Sequence, residues 1–129
     1  MINLFKRLKW RWQRSKYGVA DCDTWEFNDY LCKIIPPALR KLKNGVGCPI
    51  QFYDKENTNN ECERWHETLE SMAQGFEAAN DIDNDRFFIK KPTEKGYAYE
   101  TDIEAQQNAA KKMEYGLQLF AKHFINLWD

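Results

Sequence analysis

The chain has 129 residues, of which 43% are hydrophobic and 30% are charged, and its formal net charge is −1. This length and composition predict a single globular domain with a modest core. No apolar run approaches the roughly 20 residues that cross a bilayer, and no secretory signal begins the sequence. We therefore expect no membrane span and a cytoplasmic location.

The small net charge hides two regions of opposite sign. Residues 1–16 carry six basic side chains and no acid, whereas the rest of the chain carries 13 basic and 20 acidic side chains. Residues 3–16 predict a basic amphipathic helix with Leu4, Leu8 and Trp12 on one side. Such a helix suits a membrane surface or a nucleic acid, or it packs its apolar side against the rest of the protein.

A long central helix is predicted over residues 21–45. Its apolar residues recur at spacings of three and four; they are Phe27, Leu31, Ile34, Ile35, Ala38 and Leu42. Asp21 or Asp23 suits the N-cap, and Gly45 suits a left-handed residue just after the end. The Pro36-Pro37 pair predicts a kink or a short break.

Two further long helices are predicted. One covers residues 61–80 and is capped from Asn59 or Asn60. The other begins at a Thr101 cap, with Glu104 as its capping-box partner. It continues in a heptad-like seam of Ile103, Gln106, Ala110, Met113, Leu117, Phe120, Phe124 and Leu127. This seam suits an antiparallel bundle or a partner helix, and we expect a homo-oligomer through helix 101–127.

The polar stretch 81–100 has no helical period, and it predicts a long loop with short extended pieces or a lid. The predicted fold class is therefore all-α. We expect one helical domain over residues 1–129, with three long helices in a small bundle plus the basic N-terminal helix of residues 1–17.

The four cysteines, Cys22, Cys32, Cys48 and Cys62, form no C-x-x-C pair. In a cytoplasmic protein this predicts reduced thiols, two or three of them in the core, rather than a disulfide framework.

Three pieces of the sequence resemble a family of short, uncharacterised tailed-bacteriophage proteins. They are DCDTWEFNDYL, the Gly-x-Pro turn at residues 47–49, and the ending GLQLFAKHFINLWD. The chain departs from that family at Pro36-Pro37 and in residues 81–100. The resemblance implies a small phage protein in the cytoplasm of a bacterial host, either a structural accessory or an agent against host defence. It implies no catalytic residues.

Several patterns resemble metal sites incompletely. Glu63-x-x-His66 lacks the second pair of a di-iron bundle, and Cys62 with His66 lacks regularly spaced partners for zinc. The pairs Glu26-x-x-Asp29 and Glu67-x-x-Glu70 are typical of magnesium-dependent all-α nucleotide pyrophosphohydrolases, although such pairs are also common on solvated faces. We expect no metal and no cofactor.

The aromatic content favours a ligand-binding role. Nineteen residues are aromatic, and several adjoin cations, a combination that holds nucleotide-type ligands by stacking and phosphate pairing. The candidate ligand-binding residues are Trp25, Tyr30, Lys33, Arg40, Arg86 and Tyr97. Replacing Trp25 or Arg40 by Ala is predicted to abolish ligand retention.

The leading hypothesis is a non-enzymatic phage protein that sequesters a nucleotide-type immune signal of its host, with no specific nucleic acid partner. One alternative is an oligomeric structural or protein-interaction protein. The second alternative is the magnesium-dependent pyrophosphohydrolase.

Overall fold

Four α-helices and one β-hairpin form most of the computed structural model, which describes residues 3–45, 47–52 and 62–128. The predicted all-α class is correct for the helices, and the hairpin is an addition to it. The chain divides into two compact units, Met1–Leu31 and Cys32–Asp129. None of the described helices is long and apolar enough to cross a membrane.

The first helix confirms the N-terminal prediction. Helix α1 spans Leu4–Tyr17, and the side chain of its N-cap Asn3 accepts a hydrogen bond from the Phe5 amide. Gly18 ends the helix with φ of 78°, a left-handed conformation that glycine adopts without a steric penalty. A 3-10 turn, Asp21–Thr24, follows it.

Helix α2 spans Phe27–Lys43 and continues through Pro36 and Pro37, so of the two predicted alternatives, a kink or a short break, the break is wrong. Proline removes an amide donor, but its fixed φ is compatible with a helix. Asp21 and Asp23 precede α2 in the 3-10 turn and do not cap it, because Asp23 accepts hydrogen bonds from Arg14 and from the Ala20 amide.

Helix α3 spans Glu63–Asp83, three residues further than predicted. Its N-cap is Cys62 at φ of 70°, with no side-chain cap, and the predicted caps Asn59 and Asn60 lie outside the described residues. Helix α4 spans Ile103–Lys122. Asp102, not Thr101, is its N-cap and accepts from the Ala105 amide at 3.0 Å.

Helices α3 and α4 run antiparallel and pack closely. Gly75 lies against Gly116, and Phe76 meets Phe120 with ring centroids 5.1 Å apart. Eight residues, mostly on α3, form the centre of the core in the unit Cys32–Asp129; they are Leu39, Phe52, Cys62, Trp65, Leu69, Met72, Ala73 and Phe76.

The packing of α4 follows its predicted seam only in part, since Phe120 and Leu127 pack against the core. The buried residues of the helix are Ala109 and Gly116, whereas the seam residues Ile103 and Leu117 are exposed. Ala109 and Gly116 are small enough to let the two backbones approach each other, and the seam residue Phe120 packs beside them against Phe76. Phe124 lies beyond the helix, in a 3-10 turn, and is also exposed.

The predicted loop 81–100 is instead the end of α3 and an antiparallel β-hairpin. Strand β1 spans Phe88–Thr93 and strand β2 spans Gly96–Thr101, with Phe88 opposite Thr101. The short extended pieces were therefore predicted correctly. All twelve strand residues are exposed, and Lys90 Nζ lies 3.8 Å from the centre of the Tyr97 ring.

A disulfide joins Cys48 to Cys62, which contradicts the prediction of reduced thiols for this pair. Cys22 and Cys32 are not disulfide-bonded, and each is partly buried. Spacing along the chain could not reveal the pairing, because it depends on the fold that brings residue 48 to the start of α3.

Candidate functional site

Two of the predicted ligand-binding residues lie in the unit Met1–Leu31. Trp25 is 72% exposed and packs edge-on against Trp10, with centroids 5.7 Å apart. The Tyr30 ring is partly buried and stacks beside Phe27 at 6.5 Å. Each of the two rings therefore already has an aromatic neighbour within its own unit.

Arg40, the predicted phosphate ligand, is engaged by carboxylates. Its Nη2 atom donates to Glu70 Oε1 and to Glu77 Oε2, both at 3.0 Å, and Lys43 reaches Glu70 at 3.4 Å. These hydrogen bonds raise the pKa of Arg40 and lower that of Glu70. The guanidinium charge is thus compensated inside the protein, and Arg40 acts as a link between α2 and α3.

The remaining predicted residues do not assemble into a site with Arg40. Arg86 pairs with Asp81 at 3.5 Å, Tyr97 lies in the hairpin beneath Lys90, and Lys33 is exposed on α2. In the described part of the chain, no hydrogen bond, ion pair or ring contact joins Arg40, Arg86 and Tyr97 to one another.

A different cluster brings cations and an aromatic ring together. A cavity of about 520 Å³ opens between the start of α3 and the end of α4. We call it the basic pocket; its described lining residues are Gln51, Phe52, Arg64, Thr68, Leu119, Lys122 and His123. No acidic side chain occurs in this set.

The antiparallel pairing of α3 and α4 builds the basic pocket. Arg64 and Thr68 are four residues apart, so they share one face of α3. Lys122 and His123 come from the end of α4, which lies beside the beginning of α3. Phe52 reaches the same place from a 3-10 turn, Ile50–Phe52, that lies two residues after the disulfide-bonded Cys48.

Aromatic packing fixes the inner wall of the pocket. The Phe52 ring lies 5.0 Å from that of Trp65 and 5.1 Å from the imidazole of His123. The Arg64 guanidinium lies 5.7 Å from the Phe52 centroid, within cation–π distance. His123 is buried, and this burial, together with the neighbouring Lys122 charge, lowers the pKa of its imidazole. The wall is therefore ordered by contacts among its own residues.

A second cavity, of about 390 Å³, lies where α3 and α4 approach the hairpin. Glu77, Asp81 and Lys112 are the charged residues among its described lining. The two carboxylates make it a poor place for a phosphate, so the two cavities differ in the ligands they favour.

The residues proposed for metal chemistry do not converge. Glu70 is occupied by Arg40 and Lys43, and Cys62 is bonded to Cys48. Within the described ranges, no three His, Cys, Asp or Glu side chains are grouped closely enough to hold a metal ion. These positions therefore favour a structural role for Glu70 and Cys62.

Sequence reasoning missed Phe52, Arg64 and Lys122. Arg64 and Thr68 show helical spacing, but they resemble any solvated helix face until the end of α4 is placed beside them. The close glycine pair, Gly75 with Gly116, is the signal that would have fixed this alignment.

Comparison with protein-family models, curated proteins and solved structures finds no match for this chain.

Proposed function

We propose that this chain binds a small phosphate-bearing ligand of nucleotide type in the basic pocket and retains it without converting it. The observation that supports this is the convergence of Arg64 and Lys122 beside an aromatic wall, with no acid among the described lining residues. The sequence predicted a site of aromatic rings beside cations, and we now assign that site to Phe52, Arg64 and Lys122.

The chemistry of the pocket suits such a ligand. Guanidinium donors bind phosphate oxygens in pairs, and the Lys122 ammonium adds a second positive charge. The Thr68 hydroxyl donates to the Arg64 carbonyl at 2.7 Å, which leaves its oxygen able to accept from a ligand. Leu119 and Phe52 supply apolar surface for a base, and the volume is in the usual range for small-ligand sites.

Retention without turnover is proposed from the same residues. Hydrolysis of a phosphoanhydride needs carboxylates that hold magnesium or a base that activates water. Among the described lining residues the one candidate base is His123, whose ring is buried against Phe52 and Trp65. The phage resemblance suggests a nucleotide-type immune signal of the bacterial host as the ligand.

The test is to mix the purified chain with cyclic oligonucleotides, ADP-ribose derivatives and nucleoside triphosphates, and to follow each by chromatography. A retained ligand should disappear from solution and return intact after heat denaturation of the protein. Arg64→Ala and Lys122→Ala should each weaken retention about tenfold or more, since a hydrogen bond to a charged group contributes about 1.5–3 kcal/mol.

Lys111→Ala is the matched control, because Lys111 is an exposed cation on α4 outside the pocket lining. It should retain ligand as the wild type does. If Arg64→Ala and Lys122→Ala retain ligand as well as Lys111→Ala does, the basic pocket is not the binding site. If the ligand is converted to a different compound, the protein is a catalyst.

The exposed face of α4 supports a second function, self-association. Ile103, Ala110 and Leu117 repeat every seven residues, and Ile103 and Leu117 are exposed. The helix carries Glu104 in its first turn and Lys122 in its last. In an antiparallel pair of α4 helices, Glu104 would lie near the partner's Lys122. A second copy of this chain would therefore cover the exposed apolar residues and pair the opposite charges at the two ends of α4.

Light scattering coupled to gel filtration tests this second function. Leu117→Glu should convert a dimer into a monomer, whereas Gln118→Glu should not, since Gln118 is an exposed polar neighbour on the same helix. A wild-type chain that remains monomeric up to high concentration would rule out self-association through α4.

A further inference from the structure

Helix α1 buries one polar side chain and exposes most of its large apolar ones, the reverse of an ordinary surface helix. Its one buried residue is Gln13, whose side-chain oxygen accepts from the Asp21 amide at 3.1 Å. The exposed α1 face consists of Leu4, Phe5, Leu8 and Trp12, which are between 52% and 78% exposed.

Polar contacts fix this orientation within the unit Met1–Leu31. Arg14 binds the buried carboxylate of Asp23 through Nε at 2.9 Å and through Nη2. Lys9 pairs with Asp21 at 2.9 Å. Since these bonds all come from the polar side of α1, they leave its apolar side exposed.

Cations border the exposed α1 face on both sides. Arg7 and Arg11, one helical turn apart, lie along one border, and Lys9 and Lys16 lie along the other. Lys16 Nζ lies 4.9 Å from the Trp12 ring and 5.2 Å from the Tyr17 ring. No acidic residue occurs in residues 1–16 to offset these charges.

A groove of about 400 Å³ adjoins the arginine border. Its described lining is Leu4, Arg7, Leu8, Trp10, Arg11 and Arg14. Arg14 is committed to Asp23, but neither Arg7 nor Arg11 forms an ion pair with any residue that the structure describes. The groove therefore places two available guanidinium groups next to leucine side chains.

We propose that α1 is a docking surface for an anionic membrane and lies in the plane of the lipid headgroups. Leu4, Phe5 and Leu8 enter the boundary between headgroups and acyl chains, while Trp12 and Tyr17 remain at the level of the headgroups, where amphipathic rings are favoured. Arg7 and Arg11 bind lipid phosphates in the groove between them.

The arrangement of the charges favours lipid over the two other occupants. A nucleic acid duplex is bound through cations along its phosphates, and it offers no apolar surface to cover the row of Leu4, Phe5, Leu8 and Trp12. A second α1 would bring two uniformly cationic borders together, and like charges repel. An anionic bilayer covers the apolar row with its acyl chains and pairs both cationic borders with its headgroups.

Vesicle co-sedimentation of the full chain tests the proposal. The wild type should bind vesicles that contain phosphatidylglycerol and remain in solution with pure phosphatidylcholine. Arg7→Gln with Arg11→Gln should weaken binding by at least about tenfold, because each basic residue at an anionic surface contributes about fivefold. Leu8→Gln with Trp12→Gln should weaken it by at least about tenfold without changing the charge.

The two variant pairs change exposed side chains, so circular dichroism should show unchanged helix content. Lys111→Gln on α4 is the control for loss of one cation elsewhere, and the pocket variant Arg64→Ala should bind vesicles like the wild type. These variants therefore test membrane docking by α1 independently of ligand binding in the basic pocket.

Brominated lipids give a second, positional readout. They should quench the fluorescence of Trp12, and Trp12→Phe should lose that quenching but keep most of the vesicle binding. Binding of all variants at wild-type strength, or tight binding to duplex DNA that survives Leu8→Gln with Trp12→Gln, would overturn the proposal.

Discussion

Gly75 and Gly116 bring the backbones of α3 and α4 into direct contact. A Cβ atom added to Gly75 would lie 2.6 Å from the Gly116 Cα and 3.1 Å from the Lys112 carbonyl oxygen. A Cβ added to Gly116 would meet the Gly75 Cα at 2.6 Å and the Ser71 oxygen at 2.9 Å. All of these neighbours are backbone atoms, which cannot move without separating the helices.

Alanine at Gly116 is therefore expected to destabilise the fold. The substitution favours an isolated helix by about 1 kcal/mol, but overpacking against backbone costs about 1–3 kcal/mol, and here the backbone has no freedom to yield. We expect the free energy of unfolding to fall by about 1–2 kcal/mol, measured by urea denaturation.

Gln118→Ala is the control for this prediction, since Gln118 is exposed two residues further along α4. It should leave stability within a few tenths of a kcal/mol of the wild type, or raise it slightly. A Gly116→Ala chain as stable as the Gln118→Ala chain would mean that the helices are further apart than the structure has them.

The disulfide between Cys48 and Cys62 closes a loop with a sequence separation of 14 residues. A crosslink of that length stabilises a fold by about 3 kcal/mol, chiefly by limiting the unfolded chain. Cys48→Ser with Cys62→Ser should lower the free energy of unfolding by about 2–3 kcal/mol. The same loss should follow when the wild type is reduced with dithiothreitol.

The reductant also supplies the control. It should not destabilise the double variant any further, because Cys22 and Cys32 form no disulfide. If the wild type unfolds at the same urea concentration with and without dithiothreitol, the crosslink contributes no stability.

Arg40 links α2 to α3 through Glu70 and Glu77, and it should matter for stability rather than for ligand binding. Arg40→Ala leaves two partly buried carboxylates without their main partner, which we expect to cost about 1–2 kcal/mol. Ligand retention should be unchanged at temperatures where the variant is folded. Lys41→Ala, an exposed neighbour, should change neither property.

This outcome would distinguish the two assignments of the ligand site. Loss of retention in a folded Arg40→Ala chain would favour the residues first proposed from the sequence, with Trp25 and Arg40 at the site. Retention that depends on Arg64 and Lys122 would favour the basic pocket.

The helices were predictable because their signals are local. The apolar spacing, the N-cap side chains and Gly18 act within a few residues, so α1 was predicted nearly to its ends. The face on which α4 packs was not predictable, since hydropathy ranks Leu117 above Gly116 while the structure buries the glycine. A close backbone contact depends on the residues of two helices, and the hydropathy pattern of one helix contains no information about the other.

The predicted ligand-binding residues do not form one site for the same reason. Arg40 lies among apolar and basic residues in sequence, but its charge is compensated by Glu70 and Glu77, 30 and 37 residues away. Arg64 and Lys122 are even further apart along the chain, and they meet because α3 and α4 are antiparallel. Composition and motifs therefore do not predict which charged residues on different helices pair with one another.

Asp23 makes the stability of the unit Met1–Leu31 depend on pH. Hydrogen bonds from Arg14, opposed by burial and assisted by the Ala20 amide, lower the pKa of this buried carboxyl to about 2. An unfolded aspartate has a pKa of about 3.9, so the folded state binds the proton more weakly than the unfolded state. The stabilisation is therefore complete above about pH 4, and it is lost as the pH falls from about 4 to about 2.

Asp23→Asn should remove this dependence together with the charge pair. Wild type and variant should differ by about 2 kcal/mol in the free energy of unfolding at pH 7 and by much less near pH 2, measured by denaturation across that range. Asp21→Asn is the control, because the Lys9–Asp21 pair is exposed on both sides and contributes little. If the difference between wild type and Asp23→Asn is the same at both pH values, the Arg14–Asp23 bond does not set the acid stability of this unit, and the polar attachment of α1 must depend on Gln13 instead.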